Sequence, residues 1–215
     1  MNADRHTERA AAPAPTDEET LVQMHAILVE RAERAQLIDV AYRTLDGPLG
    51  SLLLAATPAG LVRVAFEVQD HAAVLVDLAR RVSPRVLAAP RRLDDAARQL
   101  DEYFAGTRRR FDLALDLRLA TGFRRVVVEH LARLEYGRTA SYAQVAAAAG
   151  SPRAVRAVGT ACALNPVPVV VPCHRVVRSD GSPGQYAGGT RAKAALLALE
   201  HDGSASPAHR EGGPA

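Results

Sequence analysis

Apolar positions along the chain recur with two different periods, and the switches between them divide it into segments. Thr16 is followed three residues later by Glu19, the reciprocal pair of a capping box, and helical spacing then runs to about Ala35. From Leu37 the period becomes two: LIDVAYRTL, GSLLLAAT and GLVRVAFE alternate, separated by the turn signals DGP and TPAG. This predicts a meander of three antiparallel strands. Helical patterns return over 70–81 and 93–105, the second stopped by Gly106, and RFDLALDLRL then alternates as a further strand. The stretch 37–118 therefore reads as an α/β domain with no visible site of its own.

The second half is helical. GFRRVVVEHLARL carries one helix, SYAQVAAAAG a short one opened by Ser141 and stopped by Gly150, and SPRAVRAVGTACAL a third, with Ser151 as cap and Pro152 at its first position. Two short helices joined by a Gly-Ser turn make a helix-turn-helix, although an ordinary helical hairpin fits the pattern equally well. The third helix would expose Ala154, Ala157, Gly159, Ala161 and Ala163, with Arg153 and Arg156 among them. Small residues let a backbone approach a ligand closely, and two guanidiniums reach beyond it, which suits a groove better than a core.

Composition narrows the picture. With 215 residues and 48% apolar content the chain can bury a real core. No apolar run approaches the roughly 18 residues that span a bilayer, and the charged start leads into no signal-type core, so a cytoplasmic protein without a membrane partner is expected. Residues 1–118 carry 16 basic and 18 acidic side chains, whereas residues 119–200 carry 10 and 4, a surplus of +6 that suits a polyanion. Cys162 and Cys173 are the two cysteines, with neither a C-x-x-C pair nor zinc spacing around them, so no metal is expected.

One of those cysteines sits in VPCHRVV, preceded by Asn165-Pro166 and followed by GQYAGG. In order and spacing, SYAQVA, SPRAVRAVGTACALNPVPVVVPCHRVVRSDGSPGQYAGG and KAALLALE resemble the O6-alkylguanine-DNA alkyltransferases over roughly the last 80 residues of the fold. The resemblance implies an RNase-H-like α/β domain over 37–118 and an all-α-rich winged-helix, helix-turn-helix DNA-binding domain over 119–203. A disordered start with an extra helix would occupy 1–36 and a disordered tail 204–215. The extra helix could pack on the domain or serve a partner, and it has no counterpart in the family.

By the same resemblance the protein is a DNA repair methyltransferase that accepts the alkyl group of O6-alkylguanine on its own Cys173, once per molecule and without a cofactor. Its partner would be double-stranded DNA holding the lesion, bound by a monomer through the minor groove. A flipped-out base exposes the reactive carbon, which is inaccessible in a stacked duplex. His174 would take the thiol proton through a water and Glu200 would orient the imidazole, the nucleophile, base and orienter logic of a triad. Tyr142 would crowd the target phosphate and donate to guanine N3, Asn165 would shape the turn beside the cysteine, and Arg156 would fill the vacated stack. Arg153, Ala154, Ala157 and Gly159 complete the implied DNA surface. The base pocket would be walled by Tyr186, Gly188 and Val176, with Arg175 as an ion-pair partner and the Ala187 N–H donating to O6.

Three other readings stay open on the sequence. A lesion-binding relative without chemistry would lack Cys173; a helix-turn-helix regulator would need a dimer or sensor domain; a cysteine hydrolase would leave the DNA-binding features unexplained.

Overall fold

The computed structural model of the protein describes residues 16–205. Of the disorder expected over 1–15 and 204–215, positions 1–15 and 206–215 lie outside the described residues, while Ser204 and Ala205 are helical. The chain divides into two units, one ending at Leu37 and the other beginning at Ile38. In the first, helix α1 (Asp17–Arg34) opens on the expected capping box: Thr16 and Glu19 exchange side-chain-to-backbone hydrogen bonds of 2.8 and 3.3 Å. None of its residues is buried, and Leu21, Val22, Met24, Ile27 and Leu28 are all at least half exposed.

The second unit begins with the predicted meander. Strands β1 (Val40–Gly47), β2 (Gly50–Thr57) and β3 (Gly60–Phe66) pair antiparallel in sequence order. Alternating Val, Leu and Ala side chains put Val40, Leu53, Ala55, Val62 and Ala65 into a core with Val74 and Leu78 of helix α2 (His71–Arg81). Asp70, in the left-handed region at φ 56°, caps α2 by accepting from the Ala72 and Ala73 N–H groups. A fourth strand, β4 (Val86–Ala88), was not anticipated; it pairs parallel to β1 and gives the sheet order β3-β2-β1-β4. Helix α3 (Asp94–Phe104) follows, burying Ala96, Ala97, Leu100 and Tyr103 on one face.

The expected strand over RFDLALDLRL does not form. That stretch runs irregularly, touches the sheet at one bridge between Leu61 and Leu115, and ends in a 3-10 turn at Leu117–Leu119. Side chains replace the missing ladder: Gln99 brackets the Asp112 backbone at 2.8 and 2.9 Å, and Asp116 accepts the Thr57 hydroxyl at 2.6 Å.

Helix α4 (Gly122–Leu131), helix α5 (Tyr142–Ala148) and helix α6 (Val155–Ala163) form the helical half, with α4 and α5 both packed on α6. Ser141 and Gln144 close a capping box on α5. The third predicted helix starts later than expected, at Val155 with Ala154 as cap, because Ser151 closes the end of α5 and then a turn. Its N–H donates to Ala146 O at 2.9 Å and its carbonyl accepts from Ala154 N–H at 2.8 Å. Strands β5 (Ala140–Ser141) and β6 (Val176–Val177) make a short parallel ladder, and helix α7 (Gly189–Ala205) ends the described chain.

Gly60 holds the β2–β3 turn at φ +135°, and a Cβ there would lie 2.3 Å from the Ala114 carbonyl oxygen. Gly60→Ala is therefore expected to cost about 2 kcal/mol or more, read as a lowered denaturation midpoint with an unchanged slope.

Candidate active site

Four segments converge on Cys173. The loop NPVPVVV between α6 and the cysteine is tied by Asn165, whose amide donates to Val171 O at 2.8 Å and to Cys173 Sγ at 3.2 Å. Its side-chain oxygen accepts from the Val167 N–H at 3.1 Å. Pro166 O accepts from Val64 N–H at 2.9 Å, so the loop is anchored on β3. Within it Val169 has φ 72°, a left-handed conformation that a β-branched residue adopts only when its surroundings impose it.

Cys173, His174 and Arg175 form a buried 3-10 turn. His174 is fully buried, and its Nε2 lies 2.9 Å from Glu200 Oε1. Arg175 grips the same carboxylate, Nη2 to Oε1 at 2.7 Å and Nε to Oε2 at 2.9 Å, while another of its guanidinium nitrogens donates to Leu134 O. Gly137 N–H donates to Glu200 Oε2 at 3.0 Å. From α3, Tyr103 donates to Glu200 Oε1 at 2.7 Å. With Nε2 facing a carboxylate, that nitrogen carries the proton and Nδ1 keeps the basic lone pair. Nδ1 is buried with no protein partner among the described residues.

The electrostatics follow from this packing. Burial pushes the Cys173 thiol up to about 11, against the pull of the Asn165 hydrogen bond and the Lys193 charge. Burial likewise holds His174 below its ordinary value of 6.5, helped by the Arg175 and Lys193 charges and opposed by Glu200. For Glu200, burial opposes ionisation, yet the hydrogen bonds from His174 and Arg175 outweigh it and hold the carboxyl well below the usual range. Cys162 is buried and free, pushed up to about 12 chiefly by burial.

The predicted pocket residues fall around this centre. Tyr186 is buried edge-on to Phe66 and to His174, with ring centroids 5.5 and 6.2 Å away. Gly188 lies so close to Phe66 that a Cβ would sit 2.7 Å from the ring, and Val176 is buried with its carbonyl on Lys193 Nζ at 2.5 Å. Ala187 is half-buried, and no protein group among the described residues accepts its N–H. Tyr142, first residue of α5, has its hydroxyl against Gly184, where a Cβ would lie 2.1 Å from it. Apart from these, Arg153, Arg156 and Ala157 are exposed at the start of α6, with Ala154 and Gly159 half-buried. Ala161, expected on that surface, is instead buried: with Val158 and Cys162, at i, i+3 and i+4, it forms the face of a helix that packs against α4 and α5.

Two members of the cluster escaped the sequence reading. Tyr103 looks like any core aromatic of an amphipathic helix, and nothing local ties it to Glu200. Lys193 did leave a signal: it is the chain's one lysine and stands seven residues, two helical turns, before Glu200. Among the described residues no three His, Cys, Asp or Glu side chains group to hold a metal, and no helix is long and apolar enough to cross a membrane.

Two family models match the chain, both of 6-O-methylguanine DNA methyltransferase: the ribonuclease-like domain over 40–117 and the DNA binding domain over 122–202. The chain belongs to this family. Among curated relatives of the methyltransferase, the "methylated-DNA–protein-cysteine methyltransferase, constitutive" of Bacillus subtilis is 41% identical over 74% of this chain and 94% of its own. The crystal structure of the Mycobacterium tuberculosis O6-methylguanine methyltransferase superposes with TM-score 0.69 at 38% identity, covering 79% of this chain and 96% of that one. A structure of the same organism's OGT in complex with DNA matches with TM-score 0.67 at 38% identity, over 76% and 94% of the two chains. The methyltransferase thus has a ribonuclease-like first half and a DNA-binding second half.

The Glu200 cluster makes stability pH-dependent. Its carboxyl is depressed in the folded state, so its contribution is full above about 4.5, the ordinary value, and is lost as pH falls below that. The depressed imidazole of His174 acts in the same direction below 6.5. Glu200→Gln should cost about 3 kcal/mol at pH 7, because Arg175 is left buried without its counter-charge, and should flatten the acid side of the curve. Denaturant titrations from pH 7 to pH 3 measure both.

Proposed function

We propose that this methyltransferase repairs DNA by moving the alkyl group from O6 of guanine to its own Cys173. The observation that carries this reading is a buried thiol in the same turn as a buried imidazole whose Nε2 is committed to Glu200, with no protein partner for Nδ1 among the described residues. A thiol held near 11 is ionised only to about one part in ten thousand at pH 7, so an internal base is required.

The thiol proton passes to His174 Nδ1 through a bridging water. The thiolate attacks the sp3 carbon, an S–C bond forms, and the C–O6 bond breaks with its electron pair left on guanine. Tyr142 meets the developing charge at N3; burial raises its phenol above the ordinary value, so it stays protonated and can donate. The Ala187 N–H donates to O6. The product is a thioether, which water does not cleave, so each molecule acts once.

For DNA access we infer a division of labour in which 37–118 is the scaffold and 119–203 holds both the duplex and the acceptor. Exposed Arg153 and Arg156 with the small residues Ala154, Ala157 and Gly159 suit the minor groove, with Arg156 filling the stack behind a flipped base. The protein works as a monomer in the cytoplasm, where its two thiols stay reduced.

The test is intact mass after incubation with duplex DNA holding one O6-methylguanine. A gain of one methyl group that maps to Cys173 and is absent from Cys173→Ser is expected; lesion-selective binding without a mass gain would instead favour a damage sensor. Arg156→Ala should slow repair of duplex by roughly tenfold or more while leaving a single-stranded oligonucleotide much less affected, since only the duplex requires an extruded base.

A further inference from the structure

Glu200 does not depend on Tyr103 for its position. Arg175 takes both carboxylate oxygens and Gly137 N–H takes Oε2, so the side chain is already pinned from two segments. What Tyr103 adds is a proton donor on Oε1 at 2.7 Å, the same oxygen that His174 Nε2 meets at 2.9 Å. The phenol also lies 3.4 Å from Nε2 itself, and Tyr103 is fully buried. Together with Arg175 Nη2, at 2.7 Å, three groups therefore share one oxygen. Every donor on a carboxylate draws charge from it and weakens its hold on the others, so the phenol reduces the stabilisation that Glu200 can offer an imidazolium.

We propose that Tyr103 is a positioning residue of the acceptor site: acting through Glu200, it weakens His174 as a base and so keeps Cys173 a thiol until a substrate is seated. The inference rests on the roles of Cys173 and His174 given above. It assigns the first half of the chain a part in the chemistry, since Tyr103 comes from α3 and stands 97 residues from Glu200. The rest of the imidazole's surroundings remain in place when the phenol is removed: Glu200 and Lys193 from α7, Arg175 and Cys173 from its own turn, and the Tyr186 ring edge-on at 6.2 Å. Burial and the Glu200 charge push the Tyr103 phenol far above its ordinary value, so it acts as a permanent donor.

Tyr103→Phe keeps the ring and removes only the donor. Iodoacetamide reacting with the full chain in the absence of DNA reads the change directly, with each modified cysteine located by peptide mass across a pH series. The expected result is a Cys173 profile displaced to lower pH and a rate at pH 7 raised about three- to tenfold, the size of one hydrogen bond lost from a carboxylate. Cys162 should be unmoved, and the gain should vanish in Tyr103→Phe combined with His174→Gln. An unchanged or slower Cys173 overturns the proposal, as does a parallel rise at Cys162, which would mean loosened packing, or a gain that survives without His174. If His174→Gln alone leaves the Cys173 profile where it was, the base assignment itself fails and this inference with it. If His174 matters and Tyr103 does not, only the inference fails.

Discussion

A guanidinium and a carboxylate buried together, Arg175 on Glu200, are the constraint around which the second half of the molecule is arranged. Neither ion can be taken out of water cheaply, and their mutual attraction offsets that only when the remaining donors and acceptors are also satisfied. Here they are. Glu200 collects Arg175, His174, Tyr103 and the Gly137 N–H, and Arg175 also reaches the Leu134 carbonyl. The partners belong to α3, the segment after α4, the Cys173 turn and α7, so one ion pair registers four parts of the chain against each other. A cluster of this kind gains little stability over apolar packing of the same shape, but it loses much if one partner is removed.

That arrangement also sets the resting chemistry. The low-dielectric interior that strengthens the ion pair disfavours both an isolated thiolate at Cys173 and an isolated imidazolium at His174. The uncharged pair is therefore the ground state, and charge separation is driven only when the proton moves from one to the other. On the proposed reaction the product thioether is neutral, so the burial that opposes the nucleophile favours the product. On that same reaction, the burial that disfavours the thiolate at rest also contributes to the one-way character of the transfer.

What could be read from the sequence was local. The capping box at Thr16, the helix start at Ser141 and the three alternating strands each depend on residues within a few positions, and each formed. Strand β4 has only three residues and no alternation to display; it exists because β1 offers a free edge 46 residues earlier, as Val40 pairs with Val86. RFDLALDLRL failed in the opposite way: it meets the edge strand β3 only at Leu61, the Val64 N–H farther along β3 being taken by Pro166 O, and Gln99 and Asp116 took up its backbone and turn instead. Helix α6 starts at Val155 and not at Pro152 because Ser151, a cap by residue type, is already committed to the end of α5. In the site, Cys173, His174, Asn165 and Glu200 stood out through their motif, whereas Tyr103 is tied to them only by a contact across the fold.

The dipeptide at the centre illustrates why adjacency in sequence is not itself a catalytic pair. Consecutive residues on a helical turn project in different directions, and the protein partner of the Cys173 sulfur is Asn165, not its neighbour. His174 turns its Nε2 to Glu200, and the one basic atom left to it has no hydrogen-bond partner among the described residues. On the proposed reaction the proton passes between the two side chains through a third, mobile group, the part a water molecule can play in a buried polar site. On the proposed reaction, the base is held from behind through the same Arg175–Glu200 ion pair that organises the rest of the site.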